Sequence, residues 1–169
     1  MSSERRTAMF KNLRADIFLD SILDVTPQLL EQHGARGLIL DIDNTLIGHD
    51  VPIPDETVLR HLRTLEENGI KLCVVSNNNA ARVSSFSEKI GVKYYTADAL
   101  KPKKAGYIRA SQSMGLPLSE IAAVGDQVFT DVWGAKRAGC CAILTKPLHS
   151  GGEGFFIALK RIFEKPFRN

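Results

Sequence analysis

The sequence has few cysteines, no long apolar run and little excess charge. Its cysteines, Cys73, Cys140 and Cys141, lie in apolar runs without a CxxC pair or a nearby histidine. This pattern argues against a metal site or a disulfide and predicts buried thiols in a reducing compartment. No apolar run approaches the roughly 20 residues of a membrane-spanning helix, and the N-terminus lacks the apolar core of a signal peptide. We therefore expect a cytoplasmic protein.

The length and charge restrict the class of protein further. A chain of 169 residues suits a single domain, with a core at about residues 37–145, a lead-in at 1–36 and a tail at 146–169. The net charge is +3, and the tail contains five basic and two acidic residues. A nucleic-acid-binding protein usually has a more basic domain with a recognisable module, so we expect no nucleic-acid partner.

Short apolar runs alternate with amphipathic segments along most of the chain. The runs predict five strands, at Gly37–Ile42, Ile70–Val75, Val92–Tyr95, Ile121–Val124 and Cys140–Leu144. The predicted helices end at glycines: Gly34, Gly69, Gly91, Gly115 and Gly139. This alternation predicts a three-layer, Rossmann-like α/β fold with a mainly parallel five-stranded sheet. Residues 10–25 mix apolar and charged positions, so their pattern predicts packing against the domain without fixing a conformation.

Polar residues follow the predicted strands. Asp41 and Asp43 close the first strand of the core, where alternation directs both side chains to one side, and two such anions need a cation or a shared proton. Ser76-Asn77, Lys101 and Gly125-Asp126 come at or just beyond the ends of later strands. The carboxyl ends of strands in an open α/β sheet form the ligand-binding edge. We therefore expect these residues to meet in space.

The residue types at this edge favour phosphoryl transfer. A carboxylate can become phosphorylated as a covalent intermediate, Mg²⁺ prefers oxygen ligands, and a lysine offers positive charge to phosphoryl oxygens. Taken alone, Ser76 is more typical of a helix cap or turn, and Lys101 of a solvated surface charge. Their joint position at strand ends favours a common site.

Four short motifs, in order, resemble those of the haloacid dehalogenase (HAD) superfamily. Asp41-Ile42-Asp43-Asn44-Thr45 matches the DxDxT motif. Ser76 follows an apolar run, Lys101-Pro102 comes next, and Gly125-Asp126 is followed by Asp131 five residues later. Each motif is weak by itself, but four in the right order make the resemblance specific.

A narrower resemblance covers most of the chain. Asp24–Pro27, Ser76-Asn77-Asn78, Gly125–Asp131 and Gly154-Phe155-Phe156 look like the YqeG family of subclass IIIA phosphatases. That family is similar to the mitochondrial phosphatidylglycerophosphate phosphatases. The resemblance implies a phosphomonoester hydrolase.

Specific roles follow from the resemblance. Asp41 would attack phosphorus and form an aspartyl phosphate. Asp43 would protonate the leaving alcohol and then activate water, which favours a phosphatase over a protein that stores phosphate. Ser76 and Lys101 would hold the phosphoryl oxygens, with Asn77 on the phosphate side.

The resemblance also implies a Mg²⁺ site. Its ligands would be Asp41, the backbone carbonyl of Asp43, and Asp126. Asp131 would orient Lys101 or a water at the metal.

The substrate is less constrained. The gaps between the motifs leave no room for a large cap domain, so we expect an open site for a phosphorylated substrate. In the tail, apolar residues share one helical face: Phe155, Phe156, Leu159, Ile162 and Phe163. With basic residues opposite, this face suits peripheral contact with anionic phospholipid, or packing on its own domain or a partner, an oligomer included. Phosphatidylglycerophosphate is the leading specific substrate.

Several alternatives stay open. The substrate could instead be a soluble phosphorylated metabolite or a protein. A receiver-like signalling module also uses a phosphorylated aspartate, although there the nucleophile lies on a later strand than the acidic pair. A binding module that retains the site is a third reading. We expect no catalytic role for His49, in an exposed loop, and a core position for Trp133.

Overall fold

A six-stranded parallel sheet is the centre of the computed structural model, which describes residues 12–48 and 51–148. The strands are β1 (Ile17–Leu19), β2 (Gly37–Leu40), β3 (Lys71–Val75), β4 (Tyr94–Thr96), β5 (Ile121–Gly125) and β6 (Cys141–Thr145). Their order across the sheet is β1-β6-β5-β2-β3-β4. Every neighbouring pair is parallel, so all six strands end at the same edge.

Within the described ranges, five helices connect the strands: α1 (Pro27–Gln32), α2 (Glu56–Glu67), α3 (Ala80–Ile90), α4 (Ala105–Met114) and α5 (Trp133–Ala138). Short 3₁₀ turns cover Ile22–Asp24 and Leu118–Glu120, and a π-helical turn, Val128–Val132, precedes α5. Side chains cap the first three helices, since Thr26, Asp55 and Asn79 accept hydrogen bonds from backbone N–H groups of α1, α2 and α3.

Residues on alternate positions of each strand face opposite sides of the sheet, and each side has its own apolar core. Leu38 and Leu40 join the cluster formed with α1, α2 and α3. Ile39 joins the cluster formed with α4, the π-helical turn and α5. The predicted three layers are therefore confirmed, with the sheet buried on both faces.

The prediction of five strands is wrong by one, because residues 17–19 of the lead-in form the edge strand β1. Ile17 pairs with Ile143 of β6, and the Asp16 N–H donates to the Ala142 carbonyl at 2.9 Å. The Asp16 carboxylate also accepts from the Ala142 N–H at 2.8 Å and pairs with Lys136 at 2.5 Å. These residues lie in a segment that mixes apolar and charged positions and so predicts no strand, and their partner strand is more than 120 positions away.

The cysteines are free thiols in the predicted surroundings. Cys73 and Cys140 are buried and Cys141 is partly buried. Burial raises the pKa of Cys73 and Cys140 to about 12 and that of Cys141 to about 11, so all three stay protonated at neutral pH.

Two predictions fall on residues that the structure does not describe. His49 and the amphipathic part of the tail, residues 149–169, lie outside the described ranges. Trp133 is partly buried and packs against the core, as predicted. Among the described residues, no helix has both the length and the apolar character needed to cross a membrane.

Candidate active site

Asp41 occupies the centre of the sheet's carboxyl edge. It directly follows β2, which lies between β3 and β5, and its N–H extends the ladder by donating to the Val124 carbonyl at 3.1 Å. In the register, Leu40 lies opposite both Val74 and Val124. Ser76 and Asp126, each two positions beyond those partners, therefore reach the same edge, where ligands bind in open α/β sheets.

A small pocket of about 170 Å³ opens at this edge. Its lining consists of Asp41, Asp43, Ser76, Asn77, Asn78, Lys101, Gln127, Thr130 and Asp131. Asp126 is fully buried and forms a cluster with the lining carboxylates of Asp41 and Asp131. The structure thus brings together all seven residues that the sequence selected.

Lys101 pairs with two carboxylates beneath this pocket. Its Nζ lies 2.5 Å from Oδ1 of Asp41 and 2.6 Å from Oδ1 of Asp131. The exposed fractions of the three side chains are 5%, 12% and 6% for Lys101, Asp41 and Asp131. Burial alone would lower the pKa of Lys101, but Asp131 and Asp41 outweigh burial and raise it well above its usual value, so the lysine is charged.

Asp41 is held through both of its carboxylate oxygens. Lys101 donates to Oδ1, and the Thr45 hydroxyl donates to Oδ2 at 3.3 Å. Burial raises the pKa of Asp41 to about 7, against the lowering effect of Lys101 and with a further raising effect from Asp131. In the protein without metal, two buried carboxylates thus share one lysine, and a proton on Asp41 relieves the excess negative charge.

Asp43 is more exposed and has different partners. Asn78 donates to its Oδ2 at 2.8 Å, and Arg82 of α3 pairs with its Oδ1 at 2.5 Å. The following residue, Asn44, has a φ of +62°, a left-handed conformation that asparagine tolerates, and its N–H donates to the Ile47 carbonyl at 2.7 Å. This turn begins directly after Asp43, and the partners of Asp43 differ from those of Asp41.

The backbone of Lys101 is fixed by the side chain of Asn77. The Asn77 Oδ1 accepts from the Lys101 N–H at 2.7 Å, and the Asn77 Nδ2 donates to the Lys101 carbonyl at 3.3 Å. The preceding Leu100 has a φ of +53°, which is unfavourable for a branched side chain. Asn77 also lines the pocket, so its role on the phosphate side stays a prediction.

The buried carboxylates fit a divalent cation. Asp41, Asp126 and Asp131 are all buried, and each offers an oxygen atom within 4.8 Å of the others. Oxygen-only donor sets suit hard cations such as Mg²⁺ rather than soft metals. The three ionised carboxylates and Lys101 together have two excess negative charges, which a divalent cation would neutralise.

Sequence reasoning did not identify some residues that support the site. Arg82 lies on the polar helix α3, and Asn78 belongs to a run of three asparagines. The Tyr107 hydroxyl donates to the Asp131 carbonyl at 3.1 Å. A Cβ atom on Gly125 would lie only 2.5 Å from the Cβ of Asp131, so the close approach of Asp131 requires glycine there. A glycine at the end of a strand was the available signal for this contact.

Known proteins share both the sequence and the fold. The haloacid dehalogenase-like hydrolase family matches residues 9–139. The probable phosphatase YqeG of Bacillus subtilis is 36% identical over 150 residues, which cover 89% of this chain and 86% of that protein. The chloroplastic/mitochondrial phosphatidylglycerophosphate phosphatase 1 of Arabidopsis thaliana is 25% identical over 146 residues, 81% of this chain but only 42% of that protein.

A solved structure supports the fold assignment. The cobalt-bound deoxy-D-mannose-octulosonate 8-phosphate phosphatase of Haemophilus influenzae aligns with a TM-score of 0.54 at 15% identity, over 80% of this chain and 90% of that chain. Its similarity extends to the arrangement of strands and helices. Together with the match over residues 9–139, the ordered motifs and the shared edge of the sheet, this establishes that the chain is an enzyme of the haloacid dehalogenase-like hydrolase family.

Proposed function

We propose that this protein is a Mg²⁺-dependent phosphatase that hydrolyses phosphomonoesters through a phosphorylated Asp41. The observation that supports it most is the convergence of Asp41, Asp43, Ser76 and Lys101 on one pocket of about 170 Å³. A nucleophile, a second carboxylate for proton transfer and a buried cation are what phosphoryl transfer requires. The name of the Bacillus subtilis relative, a probable phosphatase, agrees with this proposal.

In the first step, a carboxylate oxygen of Asp41 attacks phosphorus, and the bond between phosphorus and the alcohol oxygen breaks. Asp43 gives its proton to the departing alcohol oxygen. Thr45 and Lys101 hold the Asp41 carboxylate in a fixed orientation before the attack. Lys101, and Ser76 through its hydroxyl, face the phosphoryl oxygens.

In the second step, Asp43 accepts a proton from a water molecule, and the water oxygen attacks phosphorus. The bond between phosphorus and Asp41 breaks, which releases phosphate and restores the carboxylate. Asn78 and Arg82 orient the Asp43 carboxylate through hydrogen bonds of 2.8 and 2.5 Å. Because Asp43 is partly exposed, water can reach it from outside the pocket.

Mg²⁺ would be held by Asp41 and Asp126, with the backbone carbonyl of Asp43 as a further oxygen ligand and Asp131 beside them. When bound, it supplies positive charge that lowers the repulsion between the phosphoryl group and the carboxylates. The cluster of buried oxygen donors within 4.8 Å supports this part of the proposal.

The proposed substrate is phosphatidylglycerophosphate. The name of the Arabidopsis relative suggests it. Exposed apolar side chains also follow the carboxyl ends of strands near the site: Val51, Ile53, Leu100 and Leu148. The Leu148 N–H donates to the Asn44 carbonyl at 3.0 Å, so Leu148 lies beside the DxDxT turn. Exposed apolar side chains near the site suit contact with a lipid surface.

This proposal includes a single domain of residues 1–169 without a large cap, so that the site stays open to a vesicle. Turnover should be compared between vesicles containing phosphatidylglycerophosphate and a panel of soluble phosphate esters, each with Mg²⁺ and with a chelator. We expect Mg²⁺-dependent phosphate release, fastest on the vesicles, and slower vesicle turnover after deletion of residues 149–169. A strong preference for one soluble metabolite would contradict the lipid substrate.

The same assay addresses the signalling alternative. Rapid phosphate release is expected from a phosphatase in which Asp43 activates water. An aspartyl phosphate at Asp41 that persists for minutes, without turnover of any ester, would instead favour a receiver-like module.

A further inference from the structure

A second cleft lies beside the pocket that contains the proposed nucleophile. It has a volume of about 490 Å³ and is formed by Ile47, by residues 51–52 and by one side of α3. Its apolar lining is Ile47, Val51, Pro52 and Phe86. Arg82 and Lys89 lie about two turns apart on α3 and add two positive charges. An apolar wall with two cations suits a ligand that has an apolar part and an anionic group.

Arg82 and the turn before the cleft connect it to the reacting groups. The Arg82 Nη2 lies 2.5 Å from Oδ1 of Asp43, and Arg82 also lines the cleft. Asp43 and Ile47 also form an isolated β-bridge, so one short turn contributes to both cavities. The cleft therefore lies next to Asp43, the proposed proton donor.

The two cavities differ in size, so that the smaller one suits the phosphoryl group of a substrate and the larger one suits its alcohol. A volume of about 490 Å³ falls within the range of about 300–1,000 Å³ that is common for small-molecule sites. The pocket of about 170 Å³ has room for a phosphoryl group and little more. The alcohol bonded to that phosphoryl group must leave past Asp43, and the cleft lies on that side.

We infer that this cleft binds the leaving alcohol and selects phosphomonoesters whose alcohol bears a second anionic group, read by Arg82 and Lys89. The apolar wall receives the part of the alcohol beyond that anion. This inference rests on the proposed phosphatase function and adds the basis of its substrate choice. A guanidinium has five N–H donors, so Arg82 can contact Asp43 and an anion at the same time. Lys89 acts on the anion alone.

A matched pair of substrates distinguishes the effect of the second anion from the effect of substrate size. Glycerophosphoglycerophosphate has a phosphodiester between its two glycerols, and the monophosphate of ether-linked diglycerol has none. We expect the wild-type kcat/KM to be about tenfold or more higher for the phosphodiester compound, because a hydrogen bond to a charged group contributes that much. The dihexanoyl form of the phosphodiester compound should react faster still through the apolar wall.

Variants at Arg82 and Lys89 test whether these residues cause the preference for the phosphodiester compound. Lys89→Met should reduce it several-fold through KM with kcat unchanged. Arg82→Met should remove most of it and also lower kcat, since Arg82 orients Asp43, and Arg82→Lys should restore part of it. Arg60→Met, an exposed position on α2, is the control and should keep the wild-type ratio. Equal rates on the matched pair, or a ratio unchanged in both the Arg82→Met and Lys89→Met variants, would overturn the inference.

A binding measurement keeps this test separate from the proposed function. Hydrolysis of p-nitrophenyl phosphate reports the phosphatase chemistry without the second anion. Binding of the alcohol product, glycerophosphoglycerol, is followed by NMR titration against uncharged diglycerol. We expect binding that prefers the anionic alcohol and disappears in the Arg82→Met/Lys89→Met double variant. The absence of that preference would overturn the inference even if every ester is hydrolysed. Failure to hydrolyse any ester would contradict the phosphatase proposal, and with it the assignment of the bound alcohol as a leaving group, whereas the binding measurement would still decide whether Arg82 and Lys89 bind the second anion.

Discussion

Lys101 donates a hydrogen bond of 2.5 Å to Asp41 across 60 positions of the chain. The same Nζ lies 2.6 Å from Asp131, so one buried cation serves two buried carboxylates. The site without metal is therefore short of positive charge, and several measurable consequences follow from that imbalance.

Replacing Asp41 should abolish turnover without destabilising the metal-free fold. Burial raises the pKa of Asp41 from 3.8 to about 7, so the folded state binds more protons than the unfolded state between these values. The contribution of Asp41 to the free energy of unfolding therefore falls as pH rises from about 4 to about 7 and is constant above. The Asp41→Asn variant has no carboxyl group to ionise at this position, so its free energy of unfolding should exceed that of wild type by about 1–3 kcal/mol at pH 8.

Urea denaturation with a chelator at pH 5 and pH 8 measures this effect. The stability advantage of Asp41→Asn should be smaller at pH 5. Asp98→Asn, the same change on an exposed residue away from the buried carboxylates, serves as the control. A variant at Asp41 that is clearly less stable than wild type at pH 8 would show that the Lys101–Asp41 pair outweighs the cost of burying the charge.

Metal binding should release protons in a pH-dependent way. A divalent cation needs ionised carboxylates, so binding below the pKa of Asp41 must displace its proton, whereas binding well above that pKa need not. Calorimetric titration with Mg²⁺ in two buffers of different ionisation enthalpy should report about one proton at pH 6 and close to none at pH 8.5. Equal proton release at both values would mean that Asp41 is already ionised without metal.

Removing Lys101 should be costly in stability, and Mg²⁺ should offset part of the cost. Lys101→Met leaves Asp41 and Asp131 buried without their cation, which is expected to destabilise the fold by about 3–5 kcal/mol at pH 8. A bound cation would neutralise those carboxylates, so Mg²⁺ should raise the melting temperature of the variant more than that of wild type. Lys103→Met, an exposed neighbour, is the matched control. If Mg²⁺ stabilises both proteins equally, the metal does not act on the same charges as Lys101.

Asn77 should affect turnover beyond its effect on stability. Asn77→Ala loses both hydrogen bonds to the Lys101 backbone and should cost about 1–2 kcal/mol in stability. Asn79→Ala removes the N-cap of α3 at a similar cost of about 1 kcal/mol without touching Lys101. We expect a fall in kcat for Asn77→Ala alone, measured well below both melting temperatures. Similar kcat values for the two variants would assign Asn77 a purely structural role.

Much of the fold was predictable because local patterns report it. The helix Ala80–Ile90 ends where the sequence predicted, since Gly91 follows its last residue and adopts the left-handed conformation of a helix C-cap. The five recognised strands agree with observation to within two residues at either end. The strand Ile17–Leu19 was missed because it lies in a segment that mixes apolar and charged residues, and only pairing with β6 makes it a strand. The π-helical turn Val128–Val132 was not predicted, because its wider turn depends on contacts around Asp131 that no local pattern reports.

The sequence by itself determined which residue types end each core strand, and hence the edge of the sheet where the acids, the serine and the lysine meet. A strand fixes its last residue locally, and parallel strands share an edge. Only the tertiary structure decided the pairings: Lys101 between Asp41 and Asp131, Asn77 on the Lys101 backbone, and Arg82 on Asp43. These contacts join residues 24 to 60 positions apart. They depend on strand order and register, which packing of the whole core sets, and no local period encodes them.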